Sequence, residues 1–483
     1  MSAELNHTPE WVKNAVFYQI FPDRFAWSSR VDKPGNLEPW EALPTIDGFK
    51  GGDLLGVSEK LDYLEDLGID AIYFNPIFQS ASNHRYHTHD YYQVDPLLGG
   101  NKAFKELLEA AHKRNIRVVL DGVFNHASRG FFQFNHILEV GPKSPYLDWF
   151  VIHGFPLHAY EGTPNYDCWW SLPSLPKLNT NNPQVRKFIF DVARFWVDEG
   201  IDGWRLDVPF EIDDDEFWRE FRSVVKTANP DAYIVGEIPS EAQRWLKGDM
   251  FDAVMNYQLT HACLAFFGGS KIDQLLAEGM MGLNVPKIMD AAQFAKRTQD
   301  LLTIYPQEFS AAQLNLLDSH DMPRFLSLVQ GDTRRLYLAY LFVLTYPGAP
   351  CIYYGDEIGL SGGKDPLCRK AFPWDESEWN NQLHGRIKEL VLLHHAIPAL
   401  RTGSYTPLLT QDRLFAYLRQ DENDSVVAVI NLNEQSCKLD LDIKGNIPEG
   451  TVLQDQLGES SSTVEGGKLT GLSLPQMSAM ILA

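Results

Sequence analysis

Short apolar segments alternate with amphipathic segments over about the first 400 residues, and this alternation constrains the fold more than any other feature. Eight apolar segments have the length and composition of buried strands: residues 15–21, 69–77, 117–124, 203–208, 233–238, 253–257, 313–319 and 349–354. Buried strands joined by helices form parallel sheets, and eight similar units favour a closed (β/α)8 barrel. A doubly wound sheet is the competing interpretation, but it does not usually need eight similar units.

The segments between these strands carry their own signals. Residues 58–67 place leucines on one helical face, and a further helix follows Asn182-Pro183, a good cap and first-turn pair, and ends at Gly200. No regular period persists over residues 125–179, so we expect a small inserted domain after the third strand. The barrel domain is then predicted to comprise residues 1–124 and 180–401.

The pattern changes in the last part of the chain, residues 402–483. Apolar segments there alternate or are rich in β-branched residues, and Asn, Asp, Gly and Ser separate them. Strands are predicted at residues 414–418, 426–432, 437–443 and 471–483. The expected fold class is therefore α/β: a TIM barrel with a small insert after strand 3 and a C-terminal antiparallel β-sandwich domain.

Charge and cysteine usage limit the partners and the compartment. The 483-residue chain has a formal net charge of -22, which disfavours binding to nucleic acid. Its five cysteines form no CxxC pair, as expected in a reducing compartment and without a zinc site. Residues 1–13 lack a signal-peptide core, and no apolar run approaches the length of a membrane span. We expect a cytoplasmic protein that does not bind membranes.

Polar side chains occur where four of the eight predicted strands end. They are Asp121, Asn125 and His126 at the third strand, Arg205 and Asp207 at the fourth, Glu237 at the fifth, and His320 and Asp321 at the seventh. Barrel enzymes place their catalytic groups at this end of the strands. One acidic residue after a strand is usually only solvated, whereas four such strand ends in register indicate a shared site.

Asp207 and Glu237 fit the requirement of glycoside hydrolysis for two carboxyl groups in different environments. Arg205 shares a strand face with Asp207, and a cation in that position keeps a carboxylate ionised, as a nucleophile requires. Glu237 follows an apolar run and has no cation beside it in the sequence. We predict that Asp207 is the nucleophile and that Glu237 is the acid, which becomes the base in the second step.

Six motifs together resemble the α-amylase superfamily of retaining glycoside hydrolases. They are FYQIFPDRF (17–25), DGVFNH (121–126), LPKLN (175–179), GWRLDV (203–208), GEI (236–238) and SHD (319–321). Within that superfamily, LPKLN and the DPLCR segment at 365–369 are similar to stretches of the neopullulanase, cyclomaltodextrinase and maltogenic amylase group. The resemblance runs from Phe17 to the C-terminus.

The resemblance implies a role for each matched residue. Asp207 would be the nucleophile, Glu237 the acid/base, and Asp321 would stabilise the transition state by binding sugar hydroxyls. His126 and His320 would hydrogen-bond the sugar before the cleaved bond, and Tyr86 would stack beneath that sugar. Asp365 and Arg369 would contact sugars further back. Asp121 would hold Arg205, and Asn125 would give structural support.

The chain departs from that group at three places. Only ten residues precede Trp11, where the group usually has a β domain that often helps to form its dimer, so any homodimer is expected to form differently. His87 stands where the group commonly has aspartate. Pro239 stands where the group usually has an acceptor-side tryptophan, which leaves acceptor preference and transglycosylation open.

The ligand pattern does not support a bound metal. Many amylases bind Ca²⁺ through a Lys-His pair just after the nucleophile, and here that stretch is Val208-Pro-Phe-Glu211. The group's other calcium loop is rich in Asn, Asp and Gly, whereas residues 26–30 read AWSSR and are poor in hard oxygen ligands. We expect catalysis without a metal or another cofactor.

The implied activity is retaining hydrolysis of α-glucans: malto-oligosaccharides, pullulan, cyclodextrins or branched glucans, at α-1,4 or α-1,6 bonds or both. A mainly α-1,6 debranching activity is an open alternative, because it needs only a shifted pose over the same carboxylates. A glucosyltransferase or sucrose-acting enzyme of the same superfamily is a second alternative, against which LPKLN and DPLCR argue. A non-catalytic amylase-like protein is a third, but such proteins lack part of the carboxylate set.

Overall fold

The computed structural model describes residues 7–279, 281, 287–443 and 445–483, and it confirms the predicted barrel. The eight parallel strands and the hairpin that follows the second of them are, in chain order, β1 (Phe17–Ile20), β2 (Ala71–Phe74), the hairpin strands β3 (Phe78–Ser80) and β4 (Thr88–Val94), β5 (Arg117–Gly122), β6 (Gly203–Leu206), β7 (Tyr233–Gly236), β8 (Ala253–Val254), β9 (Leu314–Leu316) and β10 (Ala349–Tyr353). The sheet order is β8-β7-β6-β5-β2-β1-β10-β9. A parallel bridge between Met255 and Leu314 joins its two ends, so the sheet closes.

Helices follow the barrel strands, as the alternation predicts. Those in the described residues are α1 (Pro22–Phe25), α2 (Leu54–Ser58), α3 (Leu61–Leu67), α4 (Gly100–Lys113), α5 (Phe132–Val140), α6 (Pro183–Asp198), α7 (Asp215–Ala228), α8 (Tyr257–Cys263), α9 (Gln274–Ala277), α10 (Ala291–Thr303), α11 (Gln307–Ser310), α12 (Phe325–Leu328), α13 (Thr333–Thr345), α14 (Asn381–Ala396) and α15 (Pro398–Thr402). The Asn182 side chain caps α6 by accepting the N–H of Gln184, as its position before Pro183 predicts.

The helix predicted at residues 58–67 is confirmed as α3, with its leucines buried, but it begins three residues later than predicted, since a separate short helix, α2, ends at Ser58. Asp53 begins α2 by accepting the N–H of Gly56, a cap that the leucine spacing does not reveal. Gly68 ends α3 in a left-handed conformation with φ 85°, which a glycine adopts at no steric cost.

The region between β5 and α6 forms the expected insert. It contains α5 and four isolated antiparallel bridges, among them His126 with Lys177 and Cys168 with Pro176. The bridge to His126 fixes the last part of the insert against the C-terminal end of β5. The insert therefore borders the end of the barrel at which the predicted catalytic side chains lie.

The C-terminal part contains two antiparallel four-stranded sheets, which confirms a β domain after the barrel. Their strands are β11 (Ser404–Gln411), β12 (Leu414–Gln420), β13 (Ser425–Asn431), β14 (Cys437–Asp442), β15 (Val452–Gln454), β16 (Ser461–Glu465), β17 (Lys468–Leu474) and β18 (Ser478–Leu482). The single strand predicted at residues 471–483 is wrong: β17 and β18 belong to different sheets, and a turn at Pro475 separates them. The exact residues at which the three domains begin and end stay predictions.

The apolar core is continuous across the barrel and part of the C-terminal region. One large cluster of buried residues includes Trp196 and Trp204 in the barrel and Phe415 and Ile481 in the C-terminal sheet β11-β12-β13-β18. A second, smaller cluster fills the space between the two C-terminal sheets. Among the described residues, no helix has the length and apolar character needed to cross a membrane.

Candidate active site

A fully buried arginine, Arg205, lies at the centre of the charged groups at the C-terminal end of the barrel. Strands β5 and β6 pair in register with Asp121 opposite Arg205, which brings the two side chains together. Nη1 of Arg205 donates to both oxygens of Asp121 at 2.9 and 3.0 Å and to Oδ1 of Asp207 at 3.1 Å. Its Nη2 lies 2.7 Å from Oε1 of Glu237.

The reasoning that Arg205 distinguishes Asp207 from Glu237 is wrong. Glu237 has no cation next to it in the sequence, yet the pairing of β6 with β7 places its carboxylate within reach of the Arg205 guanidinium. The cation is in fact 0.4 Å closer to Glu237 (2.7 Å) than to Asp207 (3.1 Å). Proximity to Arg205 therefore does not assign the two roles, which stay predictions from the motifs GWRLDV and GEI.

The carboxyl group of Glu237 is held by a strained piece of backbone. Val208, which directly follows Asp207, has φ 36° and ψ 51°, a left-handed conformation that is unusual for a β-branched residue. In this conformation its N–H donates to Oε2 of Glu237 at 3.1 Å. Strain of this kind persists only where surrounding contacts enforce it, and it concentrates at functional sites. The loop after β6 thus fixes both carboxyl groups.

Burial shifts the pKa values of the two central carboxyl groups upward. Loss of solvent raises the pKa of Glu237 to about 7, although Arg205 opposes the shift. Burial also raises the pKa of Asp207, and the neighbouring Glu237 carboxylate adds to that increase. Arg205 is one cation among three carboxylates, counting Asp121. Near neutral pH the pair Asp207 and Glu237 therefore retains a proton, which is the state that a nucleophile and a proton donor need together.

Asp321 differs from these two groups because cations and donors surround it. Burial raises its pKa, but His320, Arg369 and Arg205 outweigh that effect, so the pKa lies below its ordinary value. Nη2 of Arg369 donates to Oδ1 of Asp321 at 3.0 Å, and Nη1 lies 3.0 Å from Oδ1 of Asp365. Nε of Arg369 also donates to the carbonyl oxygen of His320 at 2.8 Å. Asp321 is therefore an anion at the pH at which Glu237 still carries a proton.

Tyr86 and His320 form one hydrogen-bonded unit beside Asp121. Their rings stack with centroids 5.5 Å apart at 8°, and the Tyr86 hydroxyl lies 2.7 Å from Nε2 of His320 and donates to Asp121 at 2.8 Å. Burial lowers the pKa of His320 to about 3, so the ring is neutral. Nδ1 of His320 accepts from Nε2 of Gln19 at 3.0 Å, which fixes the proton on Nε2.

Two residues of this unit were missed by the sequence interpretation. Gln19 lies in β1, and Asn75 follows β2; their side chains hydrogen-bond at 3.0 Å, and Asn75 also donates to the Tyr86 hydroxyl at 3.1 Å. Both are polar residues at the C-terminal ends of barrel strands. Applying the strand-end rule to the first two strands would have found them.

His126 occupies the side of the site formed by the insert. It is 1% exposed, and burial lowers the pKa of its ring to about 3. Its Nδ1 lies 3.2 Å from the amide nitrogen of Asn125, whereas its buried Nε2 has no hydrogen-bond partner among the described residues. A buried ring nitrogen without a partner costs free energy, so this atom is suited to bind a ligand hydroxyl. All the predicted site residues thus lie at this one end of the barrel.

The residues at the implied calcium loop do not fit a calcium ion. Asp53 is the buried carboxylate there, 0% exposed, and Glu59 accepts a hydrogen bond from the Ser28 hydroxyl at 2.6 Å. Nζ of Lys33 lies 3.0 Å from Oδ2 of Asp53 and also donates to the carbonyl oxygen of Leu97 at 2.7 Å. The backbone N–H groups of Ser28 and Gly56 complete the hydrogen bonds of Asp53. An ammonium and two N–H donors surround this carboxylate, whereas Ca²⁺ needs six to eight oxygen ligands.

Comparisons with known proteins agree with this geometry. Residues 19–390 match the alpha amylase catalytic domain family, and residues 405–482 match the neopullulanase-like C-terminal domain family. A cyclomaltodextrinase from Bacillus sp is 47% identical over 427 residues, which cover 88% of this chain and 73% of the relative.

Two solved structures match over nearly the whole chain. That of Ttha1563 from Thermus thermophilus aligns with a TM-score of 0.94 and 49% identity over 98% of this chain and 99% of the other. The native debranching enzyme from Nostoc punctiforme aligns with a TM-score of 0.89 and 47% identity over 99% of each chain. This chain belongs to the α-amylase family of glycoside hydrolases and carries a neopullulanase-like C-terminal domain.

Proposed function

We propose that the protein is a retaining α-glucan hydrolase that acts by double displacement. The observation that carries the proposal is the buried pair Asp207 and Glu237, which shares the cation Arg205. Burial raises the pKa of both carboxyl groups, which supports a shared proton near neutral pH. In the first step Asp207 attacks the anomeric carbon, the bond to the bridging oxygen breaks, and Glu237 gives its proton to that oxygen. In the second step Glu237 takes a proton from water, which attacks the same carbon and releases Asp207.

The other groups of the site bind and position the sugar. Asp321, an anion held by Arg369, accepts hydrogen bonds from sugar hydroxyls as positive charge develops on the ring. His126 is neutral and provides its unpaired Nε2 to a sugar hydroxyl. The neutral His320 provides an Nε2–H that it shares with Tyr86 and Asp321, and Tyr86 supports the sugar ring from below. Asp365 and Arg369 extend the polar surface toward sugars further from the cleaved bond.

The substrates that we propose are malto-oligosaccharides, pullulan, cyclodextrins and branched glucans. The similarity to a cyclomaltodextrinase supports cleavage of α-1,4 bonds. A specific observation favours a second candidate, α-1,6 debranching: the alignment with the solved Nostoc punctiforme debranching enzyme covers 99% of that enzyme, whereas the alignment with a solved cyclomaltodextrinase covers 80% of that chain. Both reactions use the same carboxylates and differ in how the leaving sugar lies beyond Glu237.

Chromatography of the products from pullulan tests the proposal and separates the two candidates. Panose indicates cleavage of α-1,4 bonds, and maltotriose indicates cleavage of α-1,6 bonds. Proton NMR during hydrolysis should show the α-anomer first, because two displacements at one carbon retain its configuration. An Asp207→Asn preparation, purified in the same way, controls for contaminating amylases. Release of the β-anomer first would overturn the mechanism, and no release of sugar from any α-glucan would overturn the function.

We also propose that catalysis needs no metal ion. The ammonium of Lys33 supports this, because it already neutralises Asp53 in the loop where a calcium ion would otherwise be needed. Dialysis against EDTA should leave activity and the unfolding temperature unchanged, and added Ca²⁺ should restore nothing. Loss of activity on dialysis, reversed by Ca²⁺, would show that the proposal is wrong.

The compartment is proposed on the state of the cysteines. All five are free thiols, and three of them, Cys263, Cys351 and Cys368, are buried. Unpaired thiols are typical of proteins in a reducing compartment, which supports a cytoplasmic location. Fractionation of the source cells with an antibody against the protein would test this, and its recovery in an extracellular fraction would contradict it.

A further inference from the structure

Two consecutive tryptophans lie at the tip of a turn in the insert, next to the active site. The indole rings of Trp169 and Trp170 stack with centroids 4.6 Å apart at 5°, and the Trp169 ring stacks on His126 at 5.4 Å and 19°. Trp170 is 77% exposed. The three rings thus form a continuous stack that runs from a buried ring of the site to a tryptophan face in solvent.

The backbone of this turn is strained. Trp170 has φ 49° and ψ 29°, and Ser171 has φ 58°, so two successive residues other than glycine adopt left-handed conformations. Each such residue costs about 1 kcal/mol or more. Packing of the Trp170 side chain does not offset this free-energy cost, because only one face of the ring contacts Trp169 and most of the side chain remains in solvent. A large apolar side chain held in solvent by a strained turn indicates a binding function.

Hydrogen bonds and an ion pair connect the tryptophan pair to the loop that holds Glu237. Trp169 donates its backbone N–H to the carbonyl oxygen of Leu175, which holds the turn against the segment that contains Lys177. Lys177 pairs with Glu211 at 2.9 Å, on the loop that follows Asp207. That loop also carries Val208, whose N–H holds Glu237. Because Glu237 protonates the leaving oxygen, the leaving sugar lies on this side of the nucleophile.

The loop that follows Asp207 also carries an exposed aromatic residue, and Trp169 has an indole N–H that is available to a ligand. Phe210 is 38% exposed and lies between Val208 and Glu211. Nε1 of Trp169 is buried, and no residue in the described part of the chain accepts a hydrogen bond from it. A flat aromatic face suits the apolar face of a glucose ring, and the indole N–H suits a hydroxyl at the edge of that ring. Anionic ligands are disfavoured here because the carboxylate-rich centre of the site is adjacent.

We propose that Trp169 and Trp170 form a stacking site for a glucose unit on the leaving-group side of the cleaved bond. The site binds the part of the α-glucan that departs in the first step, and it binds an incoming sugar when the enzyme transfers instead of hydrolysing. The inference rests on the proposed function, since it assigns one more substrate contact to the same active site. It makes Trp170 a specificity-determining residue for substrates that extend past Glu237.

Steady-state kinetics on two substrates test the stacking site. Maltoheptaose places sugars on both sides of the cleaved bond, whereas α-maltosyl fluoride has no sugar on the leaving-group side. Trp170→Ala should lower kcat/KM for maltoheptaose about tenfold, equivalent to about 1.4 kcal/mol, and should leave kcat/KM for the fluoride unchanged. Trp170→Phe keeps an aromatic face and should recover most of the loss.

Tyr160→Ala is the matched control, since Tyr160 is an aromatic residue of the same insert that is 71% exposed and packs on Arg129 instead of the tryptophan pair. It should match the wild type on both substrates. An unchanged kcat/KM for maltoheptaose in Trp170→Ala would overturn the inference. An equal fall on both substrates would also overturn it, because the tryptophan would then act on the nucleophile side or on the fold.

Tryptophan fluorescence separates failure of the stacking site from failure of the proposed function. Maltoheptaose should quench the emission of Asp207→Asn, which cannot turn over, and the quenching should fall sharply in Asp207→Asn/Trp170→Ala. If the wild type cleaves no α-glucan but this difference is seen, the hydrolase proposal fails and the binding site stands. If quenching is absent, or identical in both variants, the stacking site is wrong whatever the activity.

Discussion

Two buried ion clusters of this protein show how the ratio of cations to carboxylates affects the pKa of a buried carboxyl group. Around Arg205, one guanidinium serves Asp121, Asp207 and Glu237. At the other cluster, one ammonium, that of Lys33, serves one carboxylate, Asp53, and two backbone N–H groups complete the hydrogen bonds of that carboxylate. Both clusters lie in loops or strand ends of the same barrel, and both bury their carboxylates almost completely.

The difference is a surplus of negative charge in the first cluster. With more carboxylates than cations, burial is not compensated, so the pKa values of Asp207 and Glu237 both rise, that of Glu237 to about 7, and the pair retains a proton. In the second cluster the charges balance, and the pair links the segment at Lys33 to the capped start of α2. The surplus of carboxylates around Arg205 produces a reactive centre, whereas the balanced charges of Lys33 and Asp53 produce a structural link.

Of the variants that test this comparison, Asp207→Asn should show the largest change in activity. It removes the nucleophile, so kcat/KM on maltoheptaose should fall by about ten-thousand-fold or more. The unfolding temperature should stay the same or rise, because one uncompensated carboxylate is removed from beside Arg205. The matched variant at the balanced cluster, Asp53→Asn, should lower the unfolding temperature and retain most activity. Near-normal activity in Asp207→Asn would contradict the mechanism.

Replacing Arg205 by Met should destabilise the protein by about 3–5 kcal/mol, because three carboxylates lose their buried cation. The loss should be greater at pH 8 than at pH 5.5, since more of the carboxylates are ionised at the higher pH and then repel each other. Urea unfolding at both pH values measures this.

Arg222→Met is the control for the Arg205 variant. Arg222 pairs with buried Asp252 at 2.8 Å, and Lys226 lies 2.9 Å from the same carboxylate, so one cation remains after the substitution. The loss of stability should then depend little on pH between 5.5 and 8. Equal pH dependence in both variants would show that the surplus of carboxylates around Arg205 does not set their behaviour.

Replacing Lys33 by Met keeps the apolar stem and removes only the ammonium. The free energy of unfolding should fall by about 2 kcal/mol, because Asp53 and the Leu97 carbonyl lose a buried partner. Lys33→Arg retains the charge, so its free energy of unfolding should fall by less. The kcat should not change in either variant. Urea unfolding and assays on maltoheptaose check this. If Lys33→Met lowers kcat without lowering stability, Lys33 belongs to the catalytic machinery and the comparison fails.

The pH dependence of the rate should show the smallest of these effects. Glu237 must be protonated to act as the acid, so kcat/KM on maltoheptaose should fall above about pH 7, approaching tenfold per unit of pH. Fluoride leaves without a proton, so the profile on α-maltosyl fluoride should lack this fall. The same decline on both substrates would mean that another group, or unfolding, is responsible.

The barrel was predictable from sequence because its strands are apolar runs bounded by turn residues, as at residues 117–124 and 349–354. The prediction is poorest at residues 253–257, where the strand has only two residues. There, Asn256 caps α8 by accepting the N–H of Leu259, and so ends the strand early. The hairpin of β3 and β4 was missed because its histidines, tyrosines and aspartate do not form an apolar face.

The site was predictable where one rule applied, namely polar residues at strand ends, as for Asp121 and Asp321. Contacts between segments that are distant in the sequence were not predictable. The approach of Arg205 to Glu237 depends on the register of β6 and β7, and that of Lys33 to Asp53 depends on the path of the 19 residues between them. Apolar periodicity does not specify either of these.

The N–H of Val208 has a consequence for the outcome of the second step. It holds Glu237 in one place, so in the proposed mechanism the group that protonates the departing sugar is also the group that activates whatever arrives next. The arriving molecule must then occupy the volume that the departing sugar has vacated. Whether the glycosyl enzyme yields a shorter chain or a newly joined one is therefore a contest for that volume between water and a second sugar, decided by residence time and not by the reacting groups.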